Sequence, residues 1–231
     1  MGNEICIKYY NNFNKNLKQK IMKKKTIYHL IVDKSGSMSD CIENTINGFN
    51  EQVKRITQID REFPEQDITI GLTTFNTEVR HHFFQVNPIE VQKLSQETYH
   101  PDGGTALLDA IGITARSIEN ATDIGNPENG TTAVIVILTD GYENSSKLFK
   151  LGDIRNLIGR LEATGNWTFS FIGATLDAVD VAEQMSIKRQ NSYSFDKSEM
   201  KNEVWDKLSN SMRGYINKKK SGKDLGNLFE E

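Results

Sequence analysis

Asp33, Ser35 and Ser37 lie in the run Val32-Asp33-Lys34-Ser35-Gly36-Ser37-Met38, which offers one carboxylate and two hydroxyls at alternate positions. Oxygens of this kind are hard ligands, suited to Mg²⁺, Mn²⁺ or Ca²⁺ rather than to zinc. A second acid, Asp140, stands in Thr139-Asp140-Gly141, and another hydroxyl, Thr105, follows two glycines in Asp102-Gly103-Gly104-Thr105. Each segment also has a plainer reading. Ser, Thr and Asp commonly cap helices, so the first run reads equally as a polar turn, and Thr105 taken alone reads first as an N-cap. A cation site requires that the three segments meet.

The elements that must bring them together follow from hydrophobic spacing. Ile27 to Val32 is a short apolar run rich in β-formers and reads as a buried strand ending at Asp33. Ser39 and Asp40 are expected to cap a helix whose apolar face is Ile42, Ile46, Phe49, Val53 and Ile56. Ile68–Phe75 reads as a second strand, Asn76-Thr77 as a tight turn, and Glu78–Phe84 as a third strand antiparallel to the second. His81 and His82 are adjacent there, so they point to opposite faces and make a poor metal pair; an exposed edge strand is expected. Pro88 to Tyr99 reads as one or two short helical turns, and Leu108, Ile111, Ala115 and Ile118 as the face of a helix opened by Thr105.

Residues 121–130 read as a loop. Thr132 to Leu138 is apolar on both faces, as at the centre of a parallel sheet, and leads to Asp140. Ile154, Leu157, Ile158 and Leu161 mark the next helix, Trp167–Ile172 a strand, and Val179, Ala182 and Met185 a short helix. Ser192–Phe195 reads as a last strand. Met200, Val204, Leu208, Met212 and Ile216 mark a closing helix. Alternation of strands and helices argues for one doubly wound α/β domain, placed at 25–217, between an arm at 1–24 and a mobile tail at 218–231. Such folds bind ligands outside the carboxyl ends of the strands, where the strand order reverses. For the order 3-2-1-4-5-6 that point lies between strands one and four, the strands that lead to Asp33 and Asp140.

Other chemistries lack their motifs. No G-x-G-x-x-G follows the first strand, no P-loop is present and no G-x-S-x-G elbow appears. Cys6 and Cys41 lie in no CxxC pair, which argues against structural zinc and suits a reducing cytoplasm. The chain has 37% hydrophobic and 26% charged residues, as in globular proteins, and its longest apolar run, Ala133–Leu138, is too short to span a bilayer. Residues 1–25 hold seven lysines and one acid, so +6; the whole chain is −3, which leaves −9 on the remainder. The basic arm lacks the apolar core of a signal peptide and reads as a flexible extension. With no aromatic interleaving and an acidic body, neither nucleic acid nor membrane is expected as a partner.

Asp33-x-Ser35-x-Ser37, Thr105 in Gly-Gly-Thr, and Asp140 in Thr-Asp-Gly together resemble the von Willebrand factor type A (vWA) domain with an intact metal-ion-dependent adhesion site. The surrounding elements match over roughly residues 26–216. The resemblance implies a Rossmann-like three-layer sandwich whose mostly parallel six-stranded sheet carries its antiparallel third strand at the edge. It implies that Ser35, Ser37 and Thr105 offer hydroxyl oxygens to Mg²⁺ (or Mn²⁺ or Ca²⁺), with Asp33 and Asp140 binding directly or through water. A Glu or Asp of a partner protein would then complete the coordination.

Single-domain intracellular relatives in bacteria work beside AAA+ ATPases, kinases, phosphatases or stress-resistance proteins. The expectation is therefore a cytoplasmic interaction module, not an enzyme. The competing reading is a metal-assisted phosphoryl or ester hydrolase, for which Glu143 and Asp102 are the general-base candidates nearest the motifs.

Overall fold

The structure, a computed structural model, describes residues 23–125, 130–175, 177–197 and 203–229. Its six strands are β1 (Lys24–Asp33), β2 (Gln66–Phe75), β3 (Val79–Val86), β4 (Thr132–Thr139), β5 (Trp167–Gly173) and β6 (Ser192–Ser194). They form one sheet in the order β3-β2-β1-β4-β5-β6, with β3 antiparallel to β2 and every other pair parallel. β1 lies between β2 and β4, in register Leu30 to Leu72 on one side and Leu30 to Val136 on the other.

Strand alternation divides the core into two layers. Tyr28, Leu30 and Val32 of β1, with Val134, Val136 and Leu138 of β4, face α1 (Ile42–Glu62) and α5 (Glu203–Lys220). Ile27 and Ile31, with Ala133, Ile135 and Ile137, face α2 (Leu107–Ala121), α3 (Leu151–Glu162) and α4 (Ala178–Gln184). β4 is buried at every position, which is why its sequence lacks a polar face. Each fully buried Ile or Leu contributes about 1.5–3 kcal/mol relative to exposure, so this strand anchors both layers. It also fixes the height at which Asp140 leaves the sheet.

The structure differs from the sequence-based expectation at several places. Ser39 and Asp40 cap nothing. The chain leaves β1 into a 3-10 turn, Gly36–Cys41, before α1 begins at Ile42, and Ser39 Oγ instead donates to the Gly36 carbonyl at 2.7 Å. Thr105 does not open α2, whose N-cap is Ala106 with no side-chain cap bond. His81 and His82 are half-buried rather than exposed, bonded to Thr73 and Thr74 on opposite faces.

The mobile tail expected from 218 is corrected too. α5 runs to Lys220, and Leu228 is 3% exposed, with its N–H donating to Asn191 Oδ1. An apolar residue this close to the sheet edge is more stable buried than free. Lys24, placed in the arm, opens β1; residues 1–22 of that arm and Met200 lie outside the described residues. Among the described residues, no helix is long and apolar enough to cross a membrane.

Candidate metal centre

The site is built at the carboxyl edge of β1 and β4. Asp33 ends β1 and is fully buried. Its Oδ1 accepts the Ser35 N–H at 2.7 Å and its Oδ2 accepts the Thr139 hydroxyl at 2.6 Å, while its carbonyl accepts the Tyr99 hydroxyl at 2.6 Å. Burial pushes its carboxyl up to about 6, against the hydrogen bonds from Thr139 and Ser35 that favour the charged form; the negative charge of Asp140 adds to the upward push.

The turn after β1 brings Ser35 Oγ and Ser37 Oγ within 3.1 Å of each other, and Ser37 Oγ donates to Asp140 Oδ1 at 2.6 Å. Ser35 is buried and Ser37 exposed, so the group reaches from the sheet edge to solvent. Asp140 Oδ2 lies 2.6 Å from the Lys197 ammonium. Burial works to lower the Lys197 pKa, but the Asp140 carboxylate outweighs it and the net shift is upward.

Thr105 arrives on a loop stitched to both neighbours. Gly36 N–H donates to the Gly103 carbonyl at 3.0 Å, Asp102 N–H to the Lys34 carbonyl at 2.9 Å, and Ala106 N–H to the Asn76 carbonyl at 2.7 Å. Gly103 adopts φ +73°, a conformation glycine takes without strain. At Gly104 a Cβ would lie 2.1 Å from Ser145 Oγ and 2.6 Å from Asn144 Oδ1, so a side chain there would displace groups of the loop that follows Asp140. That loop locks Thr105 in return: Thr105 N–H donates to Asn144 Oδ1 at 2.8 Å, and its carbonyl accepts from Asn144 N–H at 3.0 Å.

These residues converge. A Cβ added at Gly141 would meet Thr105 Oγ1 at 3.2 Å, Ser37 Oγ at 3.3 Å and Asp33 Oδ2 at 3.8 Å. Three hard oxygens, two from the end of β1 and the turn after it and one from the Gly-Gly-Thr loop, thus face one small space beside the third segment, with Asp140 joined to Ser37 there. Mg²⁺ takes about six oxygen ligands and keeps some as water, so two carboxylates and three hydroxyls suit it, and the donor set holds no nitrogen or sulfur. Among the described residues His, Cys, Asp and Glu form no group of three or more that could hold a metal, so a cation here would depend on the hydroxyls as well.

The sequence profile of the von Willebrand factor type A domain matches residues 29–210, most of the chain. The protein belongs to the von Willebrand factor type A domain family. Domains of this family are typically metal-dependent adhesion or protein-interaction modules. A search of curated proteins finds no match.

Several solved structures share the vWA fold at low identity. The vWF domain of the type V pili tip protein Mfa5 from Porphyromonas gingivalis superposes with a TM-score of 0.60 at 11% identity, covering 84% of this chain and 97% of that one. A von Willebrand factor type A protein from Catenulispora acidiphila gives 0.51 at 16% identity over 83% of this chain and 43% of that one. Proximal thread matrix protein 1 from the mussel byssus, with a zinc-occupied MIDAS motif, gives 0.52 at 14% identity over 84% and 45%. The chain thus spans under half the length of the latter two proteins.

Four supporting residues of this vWA domain escaped sequence reading. Thr139, beside Asp140 in the Thr-Asp-Gly motif, orients the Asp33 carboxylate. Tyr99 ties the end of β1, and Asn144 holds Thr105. Asp109 of α2 accepts the N–H groups of Lys147, Leu148 and Phe149, fixing the loop beyond the site. Thr139 was legible from its motif; the others carry no local signal.

Proposed function

We propose that this vWA domain is a cation-dependent protein-interaction module: Asp33, Ser35, Ser37, Thr105 and Asp140 hold Mg²⁺, or Mn²⁺ or Ca²⁺, and a Glu or Asp of a partner protein completes the coordination. The observation that carries this reading is the convergence of Ser37 Oγ, Thr105 Oγ1 and Asp33 Oδ2 on the space beside Gly141. The three hydroxyls compensate none of the ion's charge, so where the aspartates bind through water the ion still attracts a further carboxylate. The surroundings suit a protein ligand. Tyr142 is 57% and Leu148 70% exposed on the loop after Asp140, and a cavity of about 550 Å³ lined by Ser39, Asp40, Glu43, Tyr99 and His100 flanks the first turn.

The domain is proposed to be a binding module rather than an enzyme. Glu143 is committed: its oxygens accept the N–H groups of Leu108, Ser145 and Ser146 and the Ser146 hydroxyl. Asp102 accepts the N–H of Gly103 within its own turn. A buried free thiol at Cys41 suits a reducing, cytoplasmic setting. Calorimetric titration with MgCl₂ and MnCl₂ tests the site: wild type should bind one ion and Asp33→Ala none. Absence of binding by wild type would refute the reading.

A further inference from the structure

Lys197 follows β6, far in sequence from the metal motifs. Its ammonium lies 2.6 Å from Asp140 Oδ2 and donates to the Ser37 carbonyl at 2.9 Å. The Asp140 side chain is 1% exposed and that of Lys197 37% exposed, so the ammonium approaches the carboxylate from the solvent side. Apart from this ammonium, Asp140 Oδ2 has no hydrogen-bond partner among the described residues. The lysine therefore answers a buried acid at the oxygen that a divalent ion would use.

We propose that Lys197 is a tethered competitor for the cation: its ammonium stands on one of the two carboxylates and must withdraw when a metal ion binds. This rests on the metal-site reading above. A divalent ion held by Asp33 and Asp140 beside an ammonium on the same carboxylate would be strongly repelled in so poorly solvated a place. The lysine's flexible four-carbon stem and partial exposure let it swing out. By linkage, whatever factor the lysine takes from cation affinity, the cation takes from the closed position of residue 197. Cation occupancy and the position of the Lys197 ammonium on Asp140 are thereby coupled.

The test is calorimetric titration of the full chain with MnCl₂ and MgCl₂, comparing wild type, Lys197→Met and Lys197→Arg. Removing the charge should tighten cation binding by about 5- to 150-fold, the usual range for coupled binding events; the charge-keeping Arg variant should stay near wild type. Circular dichroism checks that each variant folds, and Lys197→Gln, which keeps a donor for the Ser37 carbonyl, replaces the Met variant if that one does not. Unchanged or weaker cation binding in the uncharged variants would overturn the proposal while leaving the metal site standing. No cation binding by wild type or by any variant would remove both.

Discussion

Thr105 separates a metal ligand from a helix cap, and three substitutions do it cleanly. The hydroxyl is not a cap, since α2 starts at Leu107 with Ala106 before it, and Oγ1 faces the space beside Gly141 with Ser37 Oγ. Thr105→Ala removes a methyl and a hydroxyl from a residue that is 3% exposed. The methyl is worth about 0.8 kcal/mol, and the backbone bonds of residue 105 to Asn144 remain. Stability in chelator should therefore fall by about 1 kcal/mol.

Cation affinity should fall further, by about tenfold or more, equivalent to about 1.4 kcal/mol. A water can enter the gap in the Ala variant. Thr105→Val puts a methyl where the hydroxyl stood, so it should bind the ion more weakly than Ala does while being at least as stable. Thr105→Ser keeps the oxygen and should retain binding. Denaturant unfolding in chelator, beside MnCl₂ calorimetry on the same preparations, gives both numbers. Wild-type affinity in the Val variant would refute the ligand assignment whatever the stability.

Gly141→Ala should fold yet bind cation poorly, since its methyl would sit 3.2 Å from Thr105 Oγ1 and 3.3 Å from Ser37 Oγ; calorimetry showing undiminished affinity would contradict the convergence. Chelator should lower the wild-type melting temperature without unfolding the domain, because the site lies at the rim of a large core; at a hundred times the dissociation constant the ion adds about 2.7 kcal/mol. Asp109→Ala strips an acceptor from three N–H groups of the 147–149 loop, and a loss of about 2–3 kcal/mol is expected in urea unfolding; a change under 0.5 kcal/mol would sink that role.

His29 is fully buried, and desolvation, with a smaller push from His81, lowers its pKa from 6.5 to about 3. A folded-state pKa below the unfolded value means the unfolded chain binds the proton more readily, so its stabilising contribution is present above about 6.5 and is lost as pH falls towards 3. The advantage of wild type over His29→Gln should shrink by about 2 kcal/mol between pH 7 and pH 5. The opposing titration of Asp33 is common to both proteins and cancels. An advantage that does not change with pH would mean His29 can take up a proton where it sits.

The layers were legible because they rest on short-range patterns. The run Thr132–Thr139, apolar on both faces, could only be a central strand, and the spacing of Ile154, Leu157, Ile158 and Leu161 could only be a helix lying on it. The two aspartates were legible by the same logic: each follows a buried parallel strand, and the strand order brings those strands together. Local chemistry misled where several partners compete for one group. Ser39, Asp40 and Thr105 are all good caps by type, yet none of them caps the helix that follows. The 3-10 turn after β1 turned Ser39 onto Gly36, and the bonds of residues 105 and 106 to Asn144 and Asn76 delayed α2 until Leu107.

Lys197 had no signal at all. A lysine beyond the last strand is ordinary in sequence, and only the closing of the chain past β6 lays its ammonium on Asp140. Hydrophobic periodicity, a property of neighbours along the chain, thus determined which strands exist and which acids end them. Which hydroxyls point inward, and which ammonium meets the buried Asp140 carboxylate, was settled by contacts between residues far apart in sequence, because charge compensation acts through space and leaves no periodic trace.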